Sequence, residues 1–543
     1  MVLMQMPTVT VFTCSNYSMG VAMKNATTSS HPVRKFVLEF CVLGIATVIS
    51  LFSSLAYSAS FRVQCPSTTT LHPNGSTVDP NHPGVVKCQE IAGGDGFATM
   101  GDGHQIYLFG FGPLSGRKNL DNGGSGTVTA DEFNGAGTYA PYDPTSPEGS
   151  NAASVEPAAI MNDGVLSSNS PAPTMDMDED DELFLTLSNV GMIMRPDLFE
   201  QHTVHFHGYP NASGYFDGVP DASIAINISG SFTYYYMAPD AGTYFFHCHI
   251  TPPEHLQMGM VGQIYVHPRQ NRVPVGNDLG AALKTANLHN PGADGISCSD
   301  ILCIGQTPLP PTAAATDGST GVKQISGGKY AYNDGDGSTR YDVEYPIQMM
   351  SFDPSFHYVG MTFNPEAFAD MHDKYFMLNG RSYPDTISTS FNNTNTSGIA
   401  NKPVPNGPMA TLSPDGLSRP SQPLPTLIEI KRSAGQTRAL LRVSDLNVTQ
   451  FHTLATVGIP MEVIADNARL LRDMAGNNMY YMTNSITIGG GESTDAILDA
   501  SGSEYAGCTA TTPCTYFLYT TNLDRLSNDA ENFGGMMTEI RVD

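Results

Sequence analysis

The feature that most restricts this chain is a recurring pattern of short segments rich in β-branched and aromatic residues, each bounded by turn formers. "GHQIYLFGFG", "ELFLTLSNV", "SIAINISGSFTYYYMA", "GTYFFHCHI" and "GMVGQIYVHP" come from a first block, about 95–270. "YDVEYPIQMMSF", "TLIEIKRS", "TRALLRVSDL", "CTYFLYTT" and "MMTEIRV" come from a second, about 341–543. These segments read as strands. The 53 glycines and 38 prolines suit a turn-rich, all-β protein better than a helical bundle. Two such blocks imply two β-sandwich domains. Polar stretches at about 113–174 and 386–424 read as long loop inserts on the surface. Residues 60–94 read as an irregular N-terminal segment, and 271–340 as a linker. The run "MDMDEDDE", 175–182, reads as a solvated strand entry in preference to a cation site.

Charge and cysteine usage bound the setting. The formal charge of −26 argues against nucleic acid and anionic lipid as partners. Residues 1–59 read as a leader: Arg34 and Lys35 precede an apolar run from about Phe40 to Leu55, and small residues follow. That is the order of a signal peptide cleaved near Ser58–Ser60, which implies a secreted or periplasmic protein. An uncleaved membrane anchor is the weaker reading, because the run is short for a span and Glu39 flanks it. Cys14 and Cys41 fall in this leader. Cys65 with Cys88, Cys298 with Cys303 and Cys508 with Cys514 lie close in sequence, so three local disulfides fit an oxidising compartment. Cys248 is then the thiol left over.

Cys248 has unusual neighbours. "FFHCHITPPEHLQMGM", 245–260, sets it between His247 and His249, with His255 and Met260 beyond. "EQHTVHFHGYP", 200–210, holds His202, His205 and His207. The chain has only 15 histidines. Side chains alternate faces along a strand. His205 and His207 therefore share a face, as do His247 and His249, while Cys248 takes the opposite one. One side of the strand pair can bring His202 to Cys248, and the other can gather four imidazoles. A thiolate, two imidazoles and a weak axial methionine make an electron-transfer copper site. Zinc is the rival, but its closed Cys/His sets have no use for the methionine or for the His-Cys-His order. His104 and His357 read as structural. The 26 methionines are scattered and read as core filler.

With H-x-x-H-x-H-G at 202–208, H-C-H at 247–249 and the later His255 and Met260, the chain resembles the multicopper oxidases. "YFMLNGRSYPDT", "LLRVSDLNVTQFHTL" and "GGMMTEIRV" extend the resemblance into the second block. It implies two cupredoxin-like Greek-key sandwiches with every recognisable copper ligand in the first. His202, Cys248, His255 and Met260 would hold type 1 copper. His205, His207, His247 and His249 would belong to a type 2 or trinuclear copper centre that reduces O2. The electron donor would be a small molecule or a redox protein.

The chain departs from that pattern. The stretch from Cys248 to His255 is two residues longer than the usual laccase spacing, and the second block has no H-C-H. Two-domain copper nitrite reductases are the runner-up family, with nitrite as acceptor and a homotrimer as assembly. There His452 in "QFHTL" would complete the second site across a subunit interface, although His205 stands where that family has an aspartate. A non-catalytic blue-copper electron carrier is the third reading.

Overall fold

In the computed structural model, residues 61–135 and 151–543 are described, apart from 80–82, 122, 169, 210–212, 239, 289–316, 361, 363–366, 388–423, 425 and 474. The leader, the Cys298–Cys303 pair and nearly all of the 386–424 insert lie outside them. The first strand block forms β1 (Val86–Thr99), β2 (Gln105–Pro113), β3 (Val128–Thr129), β4 (Met175–Asp178), β5 (Glu182–Gly191), β6 (His205–His207), β7 (Ser231–Met237), β8 (Gly242–His247) and β9 (Val261–His267). One sheet has the order β2-β1-β5-β7 with β3 beside β1, and the other β4-β9-β8-β6. Phe109, Phe111, Leu185, Leu187, Phe206, Phe246 and Ile264 fill the space between them. A fully buried side chain of this size contributes about 1.5–3 kcal/mol.

The second block begins with a short pair, β10 (Lys329–Tyr330) and β11 (Arg340–Tyr341). It continues with β12 (Val343–Phe352), β13 (Tyr375–Leu378), β14 (Ile428–Ile430), β15 (Arg438–Asp445), β16 (His452–Val457) and β17 (Met461–Asp466). The rest are β18 (Arg469–Leu470), β19 (Tyr481–Thr483), β20 (Ser485–Ile488), β21 (Ser493–Asp499), β22 (Cys514–Thr520) and β23 (Met537–Val542). Sheets β13-β12-β15-β21-β17-β18 and β14-β23-β22-β16-β20 close over Ile347, Leu441, Leu454, Met461, Leu518 and Ile540. Each sandwich repeats one device: a parallel pair in each sheet, β1 with β5 and β4 with β9 in the first, β12 with β15 and β14 with β23 in the second. Both are cupredoxin-like Greek-key sandwiches, and the fold is all-β apart from short helices.

Sheet β4-β9-β8-β6 of the first sandwich faces β12, β15 and β21 of the second. The contact combines an apolar cluster, in which Leu108, Phe245 and Val261 meet Met350, Phe352 and Met377, with buried polar pairs. Gln263 donates to the Arg442 carbonyl at 2.9 Å, and Thr243 donates to Asp495 at 2.6 Å. Glu344 bridges His267 at 3.0 Å and Arg442 at 2.8 Å.

Several segments expected to be loose are built in. β1 starts at Val86, so the irregular N-terminal segment ends there and not at 94. The Cys65–Cys88 disulfide pins that segment to the outer face of β1. The described parts of the 113–174 insert cover the same face with Val128, Ala130, Phe133 and Ile160, all buried. Their apolar side chains are spaced among polar ones, which hides them from a composition reading. The 271–340 linker contains a helix, Leu279–Leu288, and buries Tyr332, Asn333 and Asp334 between the sandwiches. Glu179 to Glu182 of the acidic run are buried, while the Asp176 and Asp178 side chains are 36% and 43% exposed. Asp180 pairs with Arg269 and Arg272, Glu179 takes both amide hydrogens of Asn333, and Glu182 meets His72 and Tyr235.

Candidate metal centre

β6 and β8 are antiparallel, with His205 opposite His247 and Phe206 opposite Phe246. Alternation sends the two phenylalanines into the core and the imidazoles to the other face. Cys248, one residue past β8, returns to the core side and is fully buried.

Three segments meet at Cys248. His202 is held by a two-bond bridge to Ile226, with N···O distances of 3.1 and 3.0 Å. Gly93 of β1 lets the His202 ring come close: a Cβ there would lie 2.8 Å from Cδ2. The stretch after Cys248 folds into a short helix, Pro252–Gln257, which absorbs the longer spacing and turns His255 back. His255 Nδ1 lies 3.2 Å from Cys248 Sγ. The Met260 carbonyl accepts from the Cys248 amide at 3.1 Å, which closes the loop. One ligand atom each from His202, Cys248 and His255 lies within 4.8 Å of the others. Met260 is fully buried in the same core. Phe109 packs edge-on against the His255 ring at 5.2 Å.

Burial opposes charge on the Cys248 thiol, but the facing His255 and His202 imidazoles outweigh it and hold the thiol well below its ordinary range. Burial likewise works against the His255 imidazolium, yet the opposing thiolate carries its pKa up to about 10. Both ring nitrogens of His202 and Nε2 of His255 are buried with no hydrogen-bond partner. Unpaired buried polar atoms are costly. A cation bound among them would remove that cost.

The second group is His205, His207 and His247, again with ligand atoms within 4.8 Å of one another. His205 Nδ1 donates to the Asp217 carbonyl at 2.7 Å, and His247 Nδ1 donates to the Cys248 carbonyl at 2.8 Å. Such bonds fix the tautomer and leave a lone pair on each Nε2; that of His247 faces His207 Nδ1 at 3.4 Å. His207 stacks on Phe245 at 4.2 Å. Burial lowers the pKa of His207 to about 4 and that of His247 to about 3, so both rings are neutral at neutral pH. Neutral imidazole is the metal-binding form. His249 stands at the edge, its ring 5.2 Å from that of His205 and 5.7 Å from that of His247.

The other candidates are elsewhere. His452 is fully buried, with Nδ1 accepting from Arg525 at 2.9 Å and Nε2 3.0 Å from the Asn447 amide. Within the single chain it is hydrogen-bonded in the second sandwich, apart from both histidine groups. His357 is buried against β2, and His104 is exposed beside Asp102. Three neighbours were not picked out from sequence. Glu200 Oε2 lies 3.7 Å from His255 Nε2. Thr203 donates its amide to Cys248 Sγ at 3.4 Å and accepts from the His249 amide at 3.0 Å. Asp217 orients His205. Glu200 and Thr203 flank His202 in sequence, which was the available signal. Asp217 carried none.

A family model described as Multicopper oxidase matches residues 153–271. No curated protein matches the chain. Among solved structures, a blue copper oxidase from Nitrosomonas europaea is similar at 16% identity and TM-score 0.45, covering 84% of this chain and 85% of that one. The multicopper oxidase mgLAC follows at 14%, TM-score 0.45, with 84% and 86% covered. A copper nitrite reductase from Nitrosomonas europaea reaches 10%, TM-score 0.40, with 84% and 94% covered. Residues 153–271, which hold both histidine groups and Cys248, are a domain of the multicopper oxidase family.

Proposed function

We propose that the protein takes single electrons from a small-molecule or redox-protein donor at a type 1 copper and passes them to a second, His-ligated copper centre where O2 is reduced. His202, Cys248, His255 and Met260 would hold the first copper. His205, His207 and His247, with His249 beside them, would hold the second, of type 2 or trinuclear kind. The observation that carries this reading is a buried free thiol beside two buried imidazoles, three of whose four ring nitrogens have no hydrogen-bond partner, next in sequence to His247 of the second group. Bound copper would supply one-electron chemistry at such a soft donor set.

The chain's own residues do the rest. Full burial of Cys248, His202 and His255 excludes water from the thiolate. The two groups are joined by the peptide bonds on either side of Cys248 and by the bond from His247 Nδ1 to the Cys248 carbonyl. Glu200, with its side chain 26% exposed, faces the outer nitrogen of His255 and can take the proton a hydroxylated donor gives up with its electron.

A second reading is favoured by one contact. The second sandwich reaches the second histidine group through Gly491, not through an imidazole. A trinuclear cluster would then need imidazoles from partner copies, such as a homotrimer. A single type 2 copper would suit nitrite, and loss of turnover would leave an electron carrier. We place the protein outside the cytoplasm, secreted or periplasmic, with the Cys65–Cys88 and Cys508–Cys514 disulfides as support.

The test is total copper per chain against the EPR-visible fraction, with O2 uptake in the presence of a reductant. EPR-silent copper together with O2 uptake is the expected result. One type 1 and one type 2 signal, with nitrite consumed instead, would replace the oxidase reading. Failure to take up copper would sink both.

A further inference from the structure

Among the described residues the second sandwich adds no imidazole to either histidine group, yet one of its segments touches three of the stretches that surround the Cys248 site. The parts of that segment that do so are the helix Pro354–Gly360, after β12, and Asp373, just before β13. His357 Nδ1 donates to the Tyr107 carbonyl of β2 at 2.5 Å. Two residues along β2, Phe109 packs on the His255 ring. Gly360 accepts a hydrogen bond at its carbonyl from Arg195, in the loop that leads to His202. Gly360 also lies against Met258, since a Cβ there would stand 3.1 Å from Cε and 3.3 Å from Sδ. Asp373 accepts from the side chain of Gln257 at 3.0 Å. Gln257 is buried midway between His255 and Met260, and its backbone lies beside the His357 ring. Asp373 is itself fixed by Ser351 at 2.7 Å and by Thr449 and Asn447.

The geometry points to the helix Pro354–Gly360 and Asp373 as a clamp that holds the Cys248 metal site from outside its own sandwich, with His357 and Asp373 as positioning residues. Neither residue belongs to either histidine group. Each fixes a segment one or two residues from one that carries a ligand or packs on one. The lengthened stretch from Cys248 to His255 creates the need: its extra residues form a one-turn helix that would not hold its own position. Groups that orient ligands from outside the first shell typically change metal affinity about 10- to 100-fold when removed.

The inference rests on the type 1 copper reading, so its test has one arm without copper. His357→Leu removes the donor to Tyr107, and His357→Gln keeps one. Gln257→Met is nearly isosteric, removes the tie to Asp373, and serves if His357→Leu does not fold. In copper-loaded protein, His357→Leu and Gln257→Met should shift the reduction potential and the EPR copper hyperfine splitting. Copper affinity should fall about tenfold or more. His357→Gln should stay near the wild type. In copper-free protein, the two disruptive variants should be alkylated at Cys248 faster than the wild type by about the same factor, because a looser loop opens more often. Folded variants that match the wild type in potential, hyperfine splitting and alkylation rate would overturn the clamp. A wild type that shows no thiolate-to-copper band would overturn the type 1 reading instead. The alkylation rates would then still decide whether the segment holds the loop.

Discussion

Gly491, in the turn between β20 and β21, packs directly on His207. A Cβ at this position would stand 3.2 Å from His207 Nε2 and 3.3 Å from the Phe245 ring. Gly491 also has φ +94, a region that L side chains rarely adopt. The second sandwich therefore forms a close backbone wall over the imidazole whose lone pair is needed.

Gly491→Ala should strain the turn by about 1 kcal/mol or more and push the His207 ring off its stack on Phe245. The expected result is loss or distortion of the second copper's EPR signal, with the type 1 band unchanged. An unaltered second signal at full copper content would show that the wall has no hold on His207.

Cys248→Ser separates the two groups. Sulfur is the donor that makes the first site soft, and the hydroxyl stays protonated in this burial. The charge-transfer band should vanish and turnover should drop to background, while copper at His205, His207 and His247 remains. Retained turnover would show that electrons bypass Cys248.

His452→Leu tests whether His452 serves the second centre across an interface. Arg525 would keep the Phe451 carbonyl and Asn447 would keep Ser351 and Asp373, so the loss should be about 0.5–1.5 kcal/mol for each hydrogen bond removed. Copper content should not change in the folded variant. Loss of one copper per chain would return His452 to the second centre.

What was legible in the sequence was local. The two-residue period of "HFH" and "FHCH" placed the histidines on one face and Cys248 on the other without reference to the rest of the chain. The strand blocks were readable for the same reason. What the sequence hid depends on distant partners. The acidic run looked solvated because Arg269 lies 89 residues from Asp180, and Asn333 lies 154 residues from Glu179. The tie between Gln257 and Asp373 spans 116 residues and has no local signature. His452 looked like a ligand because its sequence setting matched one. Its hydrogen bond with Arg525, 73 residues on, has no local signature.

The inter-sandwich contact has a pH dependence of known sign. Burial works against the charged form of His267, but Asp176 and Glu344, 3.0 Å from its two nitrogens, raise its pKa to about 10 against an ordinary 6.5. Asp178 stands at 4.0 Å, and Arg442 faces Glu344 from the other side. A raised histidine contributes stability that is fully present below its unfolded value and is lost as pH climbs through its folded one. Burial also opposes charge on Glu344, but His267 and Arg442 lower its pKa, so its contribution is present above the ordinary carboxylate range and is lost toward acid. The contact is therefore strongest between those limits. The denaturant midpoint should fall between about pH 7 and about pH 10, and His267→Gln should flatten that fall. A midpoint that falls equally in both proteins would assign the alkaline loss to other groups.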